Sequence, residues 1–351
     1  MFANMMNLAD VIDHKNQGKG ECETRMSKYR FVQLDVFTEE PFAGNALAVF
    51  PEAEGITDEQ MMKIAREMNL SETVFVLKPR EKSTANSNLQ SAEPAVLRRL
   101  RIFTPAREIP FAGHPVVGTW NALAREGVVP IPEGGNGWTR IHQELGVGVL
   151  PVDIEFKEGA PVQVVMTQGE FAIKAEIDDA SEQAELARSL GLRIEDLDET
   201  LPIQTISTGL AFLAVPIRSL AALGRCKVNA ALLAEIYQRA GATGCETFSR
   251  ETMEIGEARA HVRMFAPGDN IAEDPATGSA AGALGAYLVH HGAANIEASD
   301  GRFRFVIEQG DFMHRPSRIN IEVAGKPGAI GEVRVGGASV VVASGEVFVS
   351  G

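Results

Sequence analysis

Apolar and polar positions fall into blocks whose period changes along the chain, and the changes occur in the same order twice. Residues 31–50 (FVQLDVFTEEPFAGNALAVF) read as a strand, a Gly-containing turn and a second strand. Residues 205–217 (TISTGLAFLAVPI) read the same way. A stretch of helical period follows each hairpin, at 57–68 and at 228–240. Next comes a short apolar strand of the form Arg-x-Phe-x-Pro, starting at Arg101 and again at Arg263. A polar loop then leads to a turn of small residues, Phe111-Ala112-Gly113-His114 in one case and Ala276-Thr277-Gly278-Ser279 in the other. Each turn opens an Ala/Leu-rich run that stops at Gly127 or Gly292, as a helix with a glycine just past its end should. Four elements recurring in one order predict an internal repeat. The expected fold class is α+β, with two pseudo-symmetric lobes, each a mostly antiparallel, barrel-like sheet around a central helix.

The remaining segments set the boundaries. Residues 1–28 read as a mobile extension or a misplaced start, with a short helix at 5–12 as the weaker alternative. Residues 29–140 form the expected N-terminal lobe and 141–339 the C-terminal lobe. A Pro/Gly-rich stretch at 130–138 marks the division, and strands at 147–156 and 162–166 open the second half. Residues 80–94 (REKSTANSNLQSAEP) are polar and predict an exposed insertion between strands. Charged helical turns over 177–194 predict a surface helix. The last strand, near 340–351, either completes the N-terminal lobe or joins an interface.

Composition narrows the function classes. The 351 residues are 45% hydrophobic, an ordinary globular content long enough for about two domains. A net charge of −14 argues against a nucleic-acid partner, which needs a basic face. No unbroken apolar run of about 18 residues predicts a membrane span. The N-terminus lacks the basic and apolar regions of a signal peptide, and the three cysteines (Cys22, Cys226, Cys245) are too scattered for a disulfide scaffold or zinc site. A cytoplasmic location is expected, with no metal and no cofactor. There is no dinucleotide fingerprint after a strand, no Walker lysine and no Gly-x-Ser-x-Gly elbow.

The candidate chemistry gathers at the two small-residue turns. A helix opening on Gly113 or on Gly278-Ser279 offers free backbone N–H groups and the positive end of its dipole, suited to a carboxylate or a developing enolate. Close helix-to-strand packing explains one such turn equally well; two in matching positions favour a shared cleft. Glu72, in Asn69-Leu70-Ser71-Glu72-Thr73, stands between a helical stretch and an apolar strand. A Glu at a strand edge is more often solvated surface, but a polar triplet set into an apolar run raises its claim. His114, at a helix start, has its charged form disfavoured there and can relay a proton as a neutral imidazole. Asp274 either caps the following helix or faces His114 across the cleft. The pair His290-His291 near a helix end reads as a favourable dipole interaction rather than a ligand pair.

Together the blocks MNLSET, RIFTP…EIPFAGHP, RMFAP…EDPATGSAAGAL, QGDFMHRPS and DVFTEEPFAGNALAVF resemble the signature of the PhzF-like isomerases of phenazine biosynthesis, from about Tyr29 to the end. The resemblance implies the diaminopimelate-epimerase-like fold, two lobes with the active site between them, and a homodimer. Diaminopimelate epimerases carry a catalytic Cys at each Gly turn. Neither turn has one here, which excludes two-thiol racemisation. The resemblance implies instead that Glu72 is the acid/base, that His114, Asp274 and Ser71 assist and orient the substrate, and that N–H groups near Gly113, Gly278 and Ser279 hold its carboxylate. The expected activity is a cofactor-independent isomerase that moves a proton on a small carboxylated substrate, by chemistry of the dihydro-3-hydroxyanthranilate type. The alternatives are a thiol-independent amino-acid epimerase or racemase, and a non-catalytic small-molecule-binding protein on the same fold.

Overall fold

The computed structural model describes residues 26–80, 95–254, 256 and 258–350. The helix expected at 5–12, Cys22 and most of the 80–94 insertion lie outside the described residues; 26–28 already belong to the first strand.

The first ladder begins with β1 (Met26–Val36) and β2 (Asn45–Phe50), an antiparallel hairpin. Helix α1 (Asp58–Met68) follows, started by a reciprocal capping box in which Thr57 and Gln60 satisfy each other's backbone N–H groups. It returns the chain so that β3 (Glu72–Leu77) lies parallel to β2. Strand β4 (Val96–Phe103) pairs antiparallel with β3, and the short β5 (Glu108–Ile109) folds back on it. Helix α2 (Gly113–Arg125) comes next, then β6 (Gly137–Leu145), parallel to β4. Strands β7 (Gly148–Lys157) and β8 (Ala160–Thr167) complete an antiparallel meander with β6.

The second ladder starts at β9 (Ala172–Glu176) and helix α3 (Ala180–Ser189), where the expected 177–194 helix is shortened by Asp179 as its N-cap and by Gly191, which takes a φ of 70° after the last turn. Then β10 (Gln204–Ser207) and β11 (Ala211–Pro216) form a hairpin, followed by α4 (Leu220–Gly224) and α5 (Ala230–Arg239). Strand β12 (Gly244–Ser249) runs parallel to β11, and β13 (Ala258–Ala266) pairs antiparallel with β12 and with the short β14 (Ile271–Asp274). After helix α6 (Gly278–His290), β15 (Arg302–Gln309) lies parallel to β13, and β16 (Ser317–Lys326) and β17 (Ala329–Gly337) extend the meander. The last strand, β18 (Ser339–Ser350), returns to the far edge of β1, antiparallel, as β9 does to β10. The two meanders join where β8 and β17 pair.

The order of pairing senses is the same in both ladders. Register makes the correspondence residue by residue: Ala48, Thr73 and Phe103 are level across β2, β3 and β4, as Leu213, Cys245 and Phe265 are across β11, β12 and β13.

Helices α2 and α6 are buried along almost their whole length. Glycines allow the contact: a Cβ on Gly118 would stand 2.6 Å from Leu47 Cδ2, and one on Gly285 would overlap Ile321 Cγ2. One core cluster runs through both ladders, joining Leu47, Val74 and Trp120 to Ala214, Phe248 and Tyr287. Smaller clusters lie beneath α1 (Phe50, Met61, Phe75) and beneath α3 and α5 (Leu186, Leu213, Tyr237). The architecture is a mixed α+β fold with a large sheet and few helices. Among the described residues no helix is long and apolar enough to cross a membrane.

Candidate active site

The N-termini of α2 and α6 meet. A Cβ built on Gly113 would lie 3.4 Å from the Ser279 backbone nitrogen and 3.6 Å from Gly278 Cα. Two helix starts with no side-chain cap therefore face each other, and their first N–H groups and dipoles act on one small volume.

Glu72, Ser71, His114 and Asp274 gather at this junction. Glu72 begins β3 level with Leu47 and turns its carboxylate toward α2, where Oε2 comes within 3.2 Å of His114 Nε2. The approach lacks good hydrogen-bond geometry, so both atoms are buried without a satisfied partner. Asp274 ends β14 on the opposite side, 9% exposed. It is not the helix cap; Thr277 holds that position and donates its hydroxyl to Asp274 Oδ2. Gln309 fixes the same turn from β15, donating to the Asp274 carbonyl at 2.7 Å and accepting from the Thr277 N–H at 3.0 Å.

Asn45, which sequence reasoning did not single out, links the two sides. Its Nδ2 donates to Asp274 Oδ1 and to the Ala276 carbonyl, each at 2.9 Å, and lies 3.5 Å from His114 Nδ1. Its Oδ1 accepts from the Ser71 hydroxyl at 3.0 Å. Its partner Asp274 is 229 positions away, a distance at which no local pattern signals the contact. Gln168 was missed for the same reason; its amide donates to the Gly278 carbonyl at 2.9 Å and steadies the second turn.

Burial sets the protonation states. It pushes the Glu72 carboxyl up to about 8, helped by the Asp274 charge and opposed by the neighbouring polar Ser71 hydroxyl. Burial alone pushes His114 down to about 3, so the imidazole is neutral. Asp274 is raised to about 6 by burial, against hydrogen bonds from Thr277 and Asn45. Two carboxyls and a neutral imidazole with separated pKa values are an arrangement for proton transfer. Among the described residues no group of three His, Cys, Asp or Glu side chains is placed to hold a metal ion. Cys226 and Cys245 are free, buried away from this junction among the side chains under α3 and α5, and raised in pKa by burial. His290 and His291 sit at the far end of α6, where His291 Nε2 pairs with Gln204 Oε1 at 3.0 Å.

Comparison with known proteins places the chain in a family. The model of the phenazine biosynthesis-like protein family (PhzC-PhzF) matches residues 34–345. The chain belongs to that family. It is 32% identical over 322 residues to the trans-2,3-dihydro-3-hydroxyanthranilate isomerase of Pseudomonas aeruginosa, covering 91% of this chain and 99% of the relative. An uncharacterized isomerase of Clostridium acetobutylicum is 35% identical over 323 residues, 92% of this chain and 99% of that one. The crystal structure of a Bacillus anthracis phenazine biosynthesis protein of the PhzF family superposes with a TM-score of 0.76 at 28% identity, over 92% of this chain and 100% of the other. The protein is an isomerase of this family.

Proposed function

We propose that the protein is a cofactor-independent isomerase in which Glu72 takes a proton from one carbon of a small carboxylated substrate and returns it to another on the same face. The single observation that carries this is the buried pair of Glu72 and neutral His114 at 3.2 Å, set where two helix N-termini converge. The substrate class follows from its name in the Pseudomonas aeruginosa relative: a molecule of the trans-2,3-dihydro-3-hydroxyanthranilate type. Its carboxylate would lie against the N–H groups at Gly113, Gly278 and Ser279, with Ser71 and Asp274 orienting the ring. With a pKa of about 8, Glu72 is ionised in about one molecule in ten at pH 7, a cost of about 1.4 kcal/mol. In return its conjugate acid keeps a proton well matched to a carbon acid near neutral pH.

The chain is best read as two pseudo-symmetric lobes of the diaminopimelate-epimerase type, divided near residue 168 so that each pairing ladder stays whole, with β18 completing the first lobe. The matching pairing senses and register support this reading, and it explains the use of one base. The position level with Glu72 in the second ladder is Gly244, so that strand supplies no second carboxylate, and the carboxyl on the opposite side, Asp274, is tied up by hydrogen bonds from Thr277 and Asn45. That favours same-face transfer over two-base racemisation.

The test is turnover of trans-2,3-dihydro-3-hydroxyanthranilate by the wild type and by Glu72→Gln, each checked for folding. The reading predicts turnover in the wild type and a loss of at least about 10³-fold in the variant. Equal turnover, or ligand binding without turnover in both, would sink it.

A further inference from the structure

Residues 309–318 form a strap between the two sides of the site. On one side Gln309 holds the Asp274-Thr277 turn, and Ser317 Oγ donates to the Pro275 carbonyl at 2.9 Å. On the other, the Pro316 carbonyl accepts from the Gly44 N–H at 3.1 Å. The strap lies tight against the site: a Cβ on Gly310 would be 2.5 Å from the Pro275 carbonyl oxygen.

Arg315 carries most of the second attachment. Its Nε donates to the Gly44 carbonyl at 2.7 Å, and its Nη2 donates to the Ala43 carbonyl at 2.6 Å and to Asp35 Oδ1 at 2.7 Å. Asp35, only 2% exposed, accepts from the Phe42 N–H through its other oxygen at 2.6 Å. The guanidinium and the carboxylate together satisfy the backbone of the 42–44 turn. That turn needs holding. Phe42 sits at a φ of 69°, which costs a non-glycine residue energy, and leaves its ring 75% exposed with little packing to compensate. The residue that follows the turn is Asn45, whose amide reaches Asp274, Ala276, Ser71 and His114.

We infer that Arg315 and Asp35 are positioning residues, an ion pair from opposite sides of the site that sets the Asn45 amide between Asp274 and His114. A planar fork with fixed donor directions is required, because three acceptors are met at once; a lysine offers a point charge and cannot reproduce it. Neither residue touches the reacting atoms. Their effect passes through the 42–44 turn, and misplacing Asn45 by a fraction of an ångström disturbs Asp274 and His114, two of the four groups that its amide contacts.

The kinetic consequence rests on the isomerase reading, whereas the positioning itself is measurable without any substrate. The experiment uses full-length, 15N-labelled protein as wild type, Arg315→Lys, Arg315→Ala and Asp35→Asn, with the Asn45 side-chain amide signals assigned by their loss in Asn45→Ala. Arg315→Lys and Asp35→Asn are expected to shift those signals and to speed their solvent exchange by about tenfold, while the Thr57-Gln60 cap signals stay in place. Millimolar guanidinium is expected to restore the signals in Arg315→Ala. In turnover with trans-2,3-dihydro-3-hydroxyanthranilate, kcat should fall by about 10²-fold with KM within roughly threefold. Lower melting temperatures with the Asn45 amide unmoved would overturn the inference and leave a purely structural ion pair. If Arg315→Ala does not fold, the two conservative variants decide. Wild-type protein without turnover would count against the isomerase reading, while the amide signals would still judge the clamp.

Discussion

Replacing Glu72 by Gln keeps the length and shape of the side chain and removes its charge. The effect on stability follows from the same burial that suits the residue to catalysis. In the unfolded chain the carboxyl titrates near its ordinary 4.5; in the fold it is pushed up to about 8, chiefly by burial. A raised carboxyl pKa means that the folded state holds a proton the unfolded state has released. Its contribution is therefore fully present below pH 4.5, declines as pH rises, and is lost once pH passes about 8. At about 1.4 kcal/mol per pH unit, the full decline is roughly 5 kcal/mol. A glutamine side chain does not titrate, so the stability of Glu72→Gln relative to wild type should climb across this window. Asp274 and the similarly buried Glu246 titrate in both proteins, so their own contributions largely cancel in the difference. The assay is urea unfolding of both proteins between pH 5 and pH 9, followed by the fluorescence of the buried Trp120. A difference that grows by more than about 2 kcal/mol in favour of the variant is expected. Parallel pH dependences would refute the argument, because they would place Glu72 in water at both ends of the range.

Further expectations follow from other contacts. In Asp274→Asn the charge that helps to raise Glu72 is gone, so the Glu72 carboxyl should titrate below its wild-type value of about 8; 13C NMR of the carboxyl carbons reads this directly. Asn45→Ala removes a donor that lowers Asp274, so the Asp274 carboxyl should titrate above its wild-type value of about 6, read by the same method. Gly285→Ala drives a methyl group into Ile321 Cγ2 and should cost about 1–3 kcal/mol by thermal or urea unfolding. Combined with Ile321→Ala it should cost less than the two single changes added together.

Much of this molecule is legible in its residues, for reasons that can be named. The helices at the two Gly turns can be read because small residues at their starts and glycines just past their ends leave a local signature. Both Gly127 and Gly292 do take the left-handed conformation there, with φ of 76° and 66°. Glu72 stood out as a polar interruption of an apolar run, but its burial depends on α2 arriving over β3, and no property of the Ser71-Glu72-Thr73 triplet states that. Asn45 and Arg315 were the hardest to see. Each lies inside a recognisable block, yet each acts on a partner hundreds of residues away, at 229 positions for Asn45 to Asp274 and 280 for Arg315 to Asp35. The expected division at residue 141 falls inside β6, because a Pro/Gly-rich stretch resembles a linker whether it separates lobes or feeds the next strand.

The central claim, that Glu72 alone moves the proton, is tested most directly by running the reaction in D2O. With trans-2,3-dihydro-3-hydroxyanthranilate and the wild-type enzyme, 1H NMR of the product should show the incoming hydrogen on a single face only of the carbon that gains it. That hydrogen is the substrate's own where Glu72 returns it directly, and deuterium where Glu72 exchanges with solvent between the two steps. Glu72→Gln should show neither transfer nor exchange above the uncatalysed rate. Transfer or exchange by Glu72→Gln at the wild-type rate, or deuterium on both faces of the wild-type product, would contradict the account.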